Sequence, residues 1–180
     1  MKRRNVLLPV IALIVLGAAL AACAEEPETA TSARAVELAR FPLDGEVPPG
    51  RAASFDPGVS QDGNGSLRVT TAEGGLLRLY DLDELGIVQG QVTLTGFLRS
   101  RDLGGQAMLE LRCRPAEGDA AFVRGLQSAA TGNTDWRAQE IRFTDPALCR
   151  DPVSIQINLL IQGAGTVWVD NLRLWSVPTD

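Results

Sequence analysis

The chain of 180 residues contains no histidine. That removes Ser-His-Asp and Cys-His nucleophilic triads and the usual histidine-ligated metal centres at a stroke. Lysine is almost as scarce: Lys2 is the only one, so every other cation is an arginine. Aromatics make up 5% of the sequence, as three Trp, one Tyr and five Phe, and a ligand cleft built on stacking rings has few to draw on. Beyond the first twenty-odd residues no window sustains the 3.6-residue apolar period of an amphipathic helix. A basic stripe is missing too. With a formal net charge of −5, the chain lacks the lysine and arginine density that displaces counterions from phosphates, which argues against nucleic acid as a partner.

Lys2, Arg3 and Arg4 open a short leader, followed by the apolar run Val6–Ala22 and then Cys23. A run this short, ending in small residues, reads as an export signal rather than a membrane-spanning helix. Leu20-Ala21-Ala22-Cys23 resembles the lipobox of bacterial lipoproteins. The resemblance implies cleavage before Cys23, a diacylglycerol thioether on its sulfur and acylation of the new amino terminus. It also implies a lipid-anchored protein of the bacterial cell envelope. Ala24 and Glu25 follow the cysteine with no aspartate in the next position, which by the same resemblance favours the outer membrane. The alternative is an ordinary secretory signal with a coincidental cysteine. Loss of Lys2, Arg3 and Arg4 with the leader takes the formal charge from −5 to −8. So acidic a body would not adhere electrostatically to anionic lipid, and the membrane partner is reached through acyl chains.

With Cys23 assigned to lipid, Cys113 and Cys149 remain. Export exposes them to an oxidising compartment, where an even pair is expected to form a disulfide closing 35 intervening residues. That bond would contribute roughly 2–4 kcal/mol. Two buried free thiols and, less favoured for want of histidine, a two-cysteine metal site are the alternatives.

Three segments follow from composition: a leader over 1–22, a lipidated cysteine and polar, proline-broken tether over 23–35, and one domain over 36–178. Within the domain many short apolar or alternating runs are bounded by Gly, Pro, Asn or Asp. Strands are expected at Val36–Phe41, Ala52–Phe55, Ser66–Thr70, Leu76–Leu82, Gln89–Leu98, Gln106–Arg114, Ala121–Gly125 and Trp136–Phe143. Arg99–Gly105 reads as a glycine-rich turn, Ala129–Asp135 as a loop, and Asp83–Gly86 as at most one helical turn. Val153–Trp175, two runs flanking Gln162-Gly163-Ala164-Gly165, reads as an antiparallel β-hairpin. The fold class is all-β, an antiparallel β-sandwich.

The order of motifs carries a further resemblance. Gly65-Ser66-Leu67-Arg68-Val69, Leu79-Tyr80-Asp81-Leu82 and Gly90-Gln91-Val92-Thr93-Leu94-Thr95-Gly96-Phe97-Leu98-Arg99 come first. Asp135-Trp136, Asp151-Pro152-Val153-Ser154-Ile155 and Gly165-Thr166-Val167-Trp168-Val169-Asp170-Asn171-Leu172 follow. This series resembles the galactose-binding-like jelly rolls, specifically the carbohydrate-binding modules appended to bacterial cellulases and xylanases. The resemblance implies a non-catalytic module that binds glycan, and a structural calcium ligated by an acidic residue of the last strand. Asp170 holds that position, and Asp44 is the chosen N-terminal partner. A carboxylate between Val169 and Leu172 sits oddly in a strand unless it meets a cation or a cluster of donors; otherwise Asp170 and Asn171 would turn outward at a bulge.

For a sugar platform Tyr80 is the first candidate, with Arg78, Arg99 and Gln91 as polar neighbours. Trp136 is the second, though its place at a strand start favours a core role over a stacking one. Trp168 is expected in the core or against the sheet edge. Carboxylates such as Asp81, Asp83 and Glu84, or Glu117 and Asp119, lie in turn-like segments and read as solvated charges rather than a glycosidase pair. The expected function is therefore a lipid-anchored, non-enzymatic binding module with a glycan partner. The alternative is a structural or protein-docking lipoprotein, whose partner would be another envelope protein.

Overall fold

The structure is a computed structural model, and it describes residues 34–177 apart from 46, 49–52, 84 and 86–89. The leader, Cys23, most of the tether and the Asp83–Gly86 turn lie outside the described residues in whole or part. Alternating sequence gives nine strands among the described residues: β1 (Val36–Phe41), β2 (Ala53–Asp56), β3 (Ser66–Thr71), β4 (Gly74–Asp83), β5 (Gln91–Pro115), β6 (Ala121–Arg124), β7 (Ala130–Arg142), β8 (Pro152–Gln162) and β9 (Gly165–Val177). Two 3₁₀ turns, Leu126–Ser128 and Pro146–Cys149, interrupt the connections. No helix among the described residues is long and apolar enough to cross a membrane.

All pairings are antiparallel, and they sort into two layers of a jelly-roll sandwich. In the front layer β9 has β3 and β1 along one edge and the first half of β5 along the other, with β7 beyond β5 and β2 beyond β3. In the back layer β8 lies between β4 and the second half of β5, which also takes β6. The very long β5 therefore serves both layers, and one curled ladder encloses the core. Leu67, Val69, Leu94, Leu98, Leu172 and Leu174 from the front meet Leu109, Leu111, Ile155, Ile157 and Leu159 from the back, all essentially without solvent contact. Period-2 alternation dictates this arrangement. Gly96 belongs to the inward set, and the missing Cβ lets Leu172 and Leu109 close over it.

Three expectations need correction. Val153–Trp175 is not a hairpin: β8 pairs with β4 and β5, β9 pairs with β1, β3 and β5, and the two runs lie in opposite layers. The reason lies in the turn between them. Gly163 and Gly165 both take positive φ, and the turn nests against the crossover of β5, where the Gly104 amide donates to the Ala164 carbonyl at 2.8 Å. A Cβ on Gly165 would stand 2.7 Å from the Leu103 Cα, so two backbones cross the sandwich side by side only because glycine is there. Arg99–Gly105 is accordingly no turn; β5 runs through it with shifts of register and with Asp102 at φ 51°. Ala129–Asp135 is no loop either, because β7 begins at Ala130 and pairs along that crossover.

Cys113 and Cys149 form a disulfide, with Cα atoms 5.5 Å apart. It ties the end of β5 to the 3₁₀ turn that precedes β8. Both cysteines are buried in the core cluster.

Candidate functional site

The outward face of the front layer carries the functional features. On β9 the inward set Val167, Val169, Leu172 and Leu174 breaks step between 169 and 172. Opposite Gly96 the register of β9 gains a residue, since Thr95 faces Arg173 while Phe97 faces Asp170. This is a β-bulge, with Asn171 at φ 51°. The bulge foreseen as the alternative for Asp170 is therefore real, yet Asp170 is not turned into solvent: its exposure is 0%.

The loop between β2 and β3 covers it. There Ser60 Oγ accepts hydrogen bonds from the amides of Asp62, Gly63 and Asn64 at 3.1, 2.7 and 3.0 Å. So braced, the loop presents the Gln61 amide to Asp170 Oδ2 at 2.8 Å and the Gln61 side-chain oxygen to Asn171 Nδ2 at 3.0 Å. One residue earlier, the Ser60 carbonyl accepts from Trp136 Nε1 at 2.8 Å. Because β5 lies between β9 and β7, residues 60–61 form a bridge over β5 at the level of Phe97.

Asp44, Asp62 and Asp170 bring carboxylate oxygens within 4.8 Å of one another. Asp170 Oδ1 is buried without a hydrogen-bond partner among the described residues. Burial, reinforced by the charges of Asp62 and Asp44 and opposed by the Gln61 and Asn171 amides, pushes Asp170 up to about 6. Asp44 is also raised, by lost hydration and by Asp62. For Asp62 lost hydration opposes ionisation, but hydrogen bonds from Asn64, Asn171 and Ser60 together hold its carboxyl below the ordinary value. Two carboxyls held against ionisation around an orphaned buried oxygen fit a site for a hard cation that takes oxygen ligands. The structure thus brings Asp170 and Asp44 together and adds Asp62, from the turn Asp62-Gly63-Asn64-Gly65.

Beside the bridge lies an open groove of about 510 Å³. Gln61 and Asp62 form one wall, and Phe97, Glu140, Arg173 and Trp175 are among its other residues. Trp175 Nε1 donates to Thr95 Oγ1 at 3.3 Å, which fixes the indole on the strand beside it. On the far side of the bridge Trp168 is 4% exposed and donates to Asp56 Oδ2 at 2.9 Å. The Arg99 and Arg101 guanidinium groups lie 6.0 and 5.7 Å from its ring centroid. The Trp168 hydrogen bond is the main cause holding the Asp56 carboxyl below its ordinary value.

The five residues singled out for sugar contact do not converge. Trp136 and Arg99 share this face, Trp136 beneath the bridge and Arg99 3.7 Å from Asp135. Tyr80 is on β4 in the back layer, stacked on Phe41 with ring centroids 3.7 Å apart. Arg78 pairs there with Asp81 at 3.2 Å. The Gln91 side-chain amide donates to the Phe143 carbonyl at 2.5 Å, a structural tie. Phe97 and Trp175, the rings that do line the groove, follow from alternation: with Leu94, Gly96 and Leu98 inward, Phe97 faces out, and with Leu172 and Leu174 inward, so does Trp175.

No family model and no curated protein matches the sequence. The fold does have solved counterparts. The CBM22-1 xylan-binding domain of Paenibacillus barcinonensis Xyn10C superposes with a TM-score of 0.56 at 14% identity, over 81% of this chain and 97% of that one. The C-terminal family 22 carbohydrate-binding module of Clostridium thermocellum Xyn10B gives 0.55 at 13% identity, over 79% and 95%. A family 16 carbohydrate-binding module gives 0.50 at 12% identity, over 69% and 86%. The chain has the β-sandwich fold of carbohydrate-binding modules. At these identities the likeness concerns the fold.

Proposed function

We propose that this protein is a non-catalytic glycan-binding module whose ligand lies in the front-layer groove. The observation that carries the reading is the juxtaposition, in one open groove, of two aromatic side chains, Phe97 and Trp175, with Gln61, Glu140, Asn171 and Arg173. Apolar ring faces for pyranose stacking beside a few fixed polar groups are what sugar recognition requires. An open groove, rather than an enclosed cavity, suits a chain of sugars that runs past the protein. Xylan, which family 22 counterparts bind by name, is the first ligand to try.

Calcium at Asp44, Asp62 and Asp170 belongs to the same proposal. The cation would neutralise three crowded carboxylates and satisfy the orphaned Asp170 oxygen. The lipid anchor at Cys23 completes it: a tether from the lipid would present the module at the bacterial envelope, with the outer membrane favoured by the residues after the cysteine.

The test is a pull-down with insoluble polysaccharides and a glycan array, using the purified full chain with calcium. Saturable binding lost in Trp175→Ala or Phe97→Ala supports the reading. Failure of the folded, oxidised protein to bind any glycan overturns it in favour of a protein-docking lipoprotein.

A further inference from the structure

We infer that the loop of residues 57–65 is a groove wall locked in place by the cation, so that occupation of the carboxylate cluster and the shape of the ligand groove are coupled. The inference rests on the calcium and glycan readings above and adds a link between them. Three features carry it. Asp62 belongs to both sites, as one of the three clustered carboxylates and as a groove-lining residue. Gln61 is likewise shared, since its amide holds Asp170 while its side chain meets Asn171 at the groove edge. Finally, the far end of the bridge is latched to β7 by the Trp136 indole donating to the Ser60 carbonyl.

Without a cation, three carboxylates within 4.8 Å of one another repel; Asp44 and Asp62 are the exposed members able to draw away from buried Asp170, and Asp62 takes its loop with it. Such movement would draw Gln61 off Asp170 and Ser60 off Trp136, removing one wall of the groove. A divalent cation reverses the sign of these interactions and fixes the wall. Coupling of this kind is reciprocal: a ligand that needs the wall in place must tighten calcium binding by the factor by which calcium tightens the ligand.

Hydrogen–deuterium exchange on the purified full chain, in calcium and in chelator, tests this without assuming a ligand. The amides of Gln61, Asp62, Gly63 and Asn64 and the Trp136 indole N–H are expected to exchange at least about tenfold more slowly with calcium. Asp62→Asn, a change at an exposed position, is expected to keep the fold and lose that protection. Trp136→Phe, which removes the donor to the Ser60 carbonyl, is expected to bind calcium yet leave the Gln61 and Asp62 amides exchanging faster than in the calcium-loaded wild type. The inference is overturned if calorimetry shows no calcium binding, or shows binding that leaves exchange of the loop unchanged. Titration with xylohexaose then separates the two readings. Equal affinity with and without calcium overturns the coupling and leaves the glycan reading standing. Slowed exchange with neither xylohexaose nor any glycan of the array bound in either state supports the lock and ends the glycan reading.

Discussion

Replacing Asp170 by asparagine is expected to stabilise the calcium-free protein and destabilise the calcium-loaded one. In the unfolded chain Asp170 ionises near 3.8, whereas burial beside Asp62 and Asp44 raises it to about 6 in the fold. Below both values the folded and unfolded forms hold the proton alike, and the group costs nothing. As pH rises between them the unfolded chain releases its proton first, so the stability present at low pH is lost. Above about pH 6 the loss is complete, and a gap of about 2 units corresponds to about 3 kcal/mol. Asparagine cannot ionise, can still accept from the Gln61 amide, and places a donor towards the two remaining carboxylates. In chelator at about pH 7.5, urea unfolding followed by tryptophan fluorescence should show the variant more stable by about 2–3 kcal/mol, the difference fading towards about pH 4. Calcium inverts the order. At about a thousand times its dissociation constant it adds about 4.1 kcal/mol to the wild type, more than the variant's advantage in chelator, and the variant largely forfeits that gain with its third carboxylate. A variant less stable than the wild type in chelator at both pH values would refute the reasoning, because Asp170 would then be a satisfied structural carboxylate.

Further predictions concern the scaffold. Removing the disulfide by paired Cys113→Ala and Cys149→Ala frees a loop spanning 36 positions, for which chain entropy gives a loss of about 4 kcal/mol, measurable by denaturant unfolding. Glu110, wholly buried on the outer face of the back layer, accepts from Arg124 Nε at 2.7 Å and Asn158 Nδ2 at 3.1 Å. Glu110→Ala leaves these donors unmatched and is expected to cost about 2–4 kcal/mol in the same assay, with glycan binding unchanged. Gly165→Ala would set a Cβ 2.7 Å from the Leu103 Cα at a φ of +146°. Backbone must move to admit it, and a loss of about 2–3 kcal/mol in the melting profile is expected.

Much of the fold is legible in the residues because a half-buried strand writes its facing in a two-residue period. Val36–Phe41 is a strand with those bounds, and the inward facing of Val92, Leu94 and Gly96 follows from the alternation of residues 89–98. Layer assignment is less legible. Gln162-Gly163-Ala164-Gly165 has the composition of a hairpin turn, yet it connects two layers. Its glycines serve the close passage of β5, a contact some sixty residues away in sequence. The acidic cluster divides similarly. Asp170 stands out as a carboxylate inside a strand, whereas Asp62 sits in Asp62-Gly63-Asn64-Gly65, where turn chemistry accounts for it completely. Only the fold reveals that this turn leans back onto the bulge of β9. Tyr80 draws attention as the lone tyrosine, but rarity says nothing of the layer a residue faces, and the rings of the groove are Phe97 and Trp175.

The most direct test of the account is a binding isotherm for xylan and a panel of soluble glycans on the full chain in calcium, alongside Trp175→Ala. Saturable binding by the wild type, weakened at least about tenfold in the variant while the melting temperature holds, is the predicted result, stacking on one ring being worth about 1–2 kcal/mol. Binding that survives Trp175→Ala undiminished, or no binding by the folded protein to any glycan, would contradict the central claim.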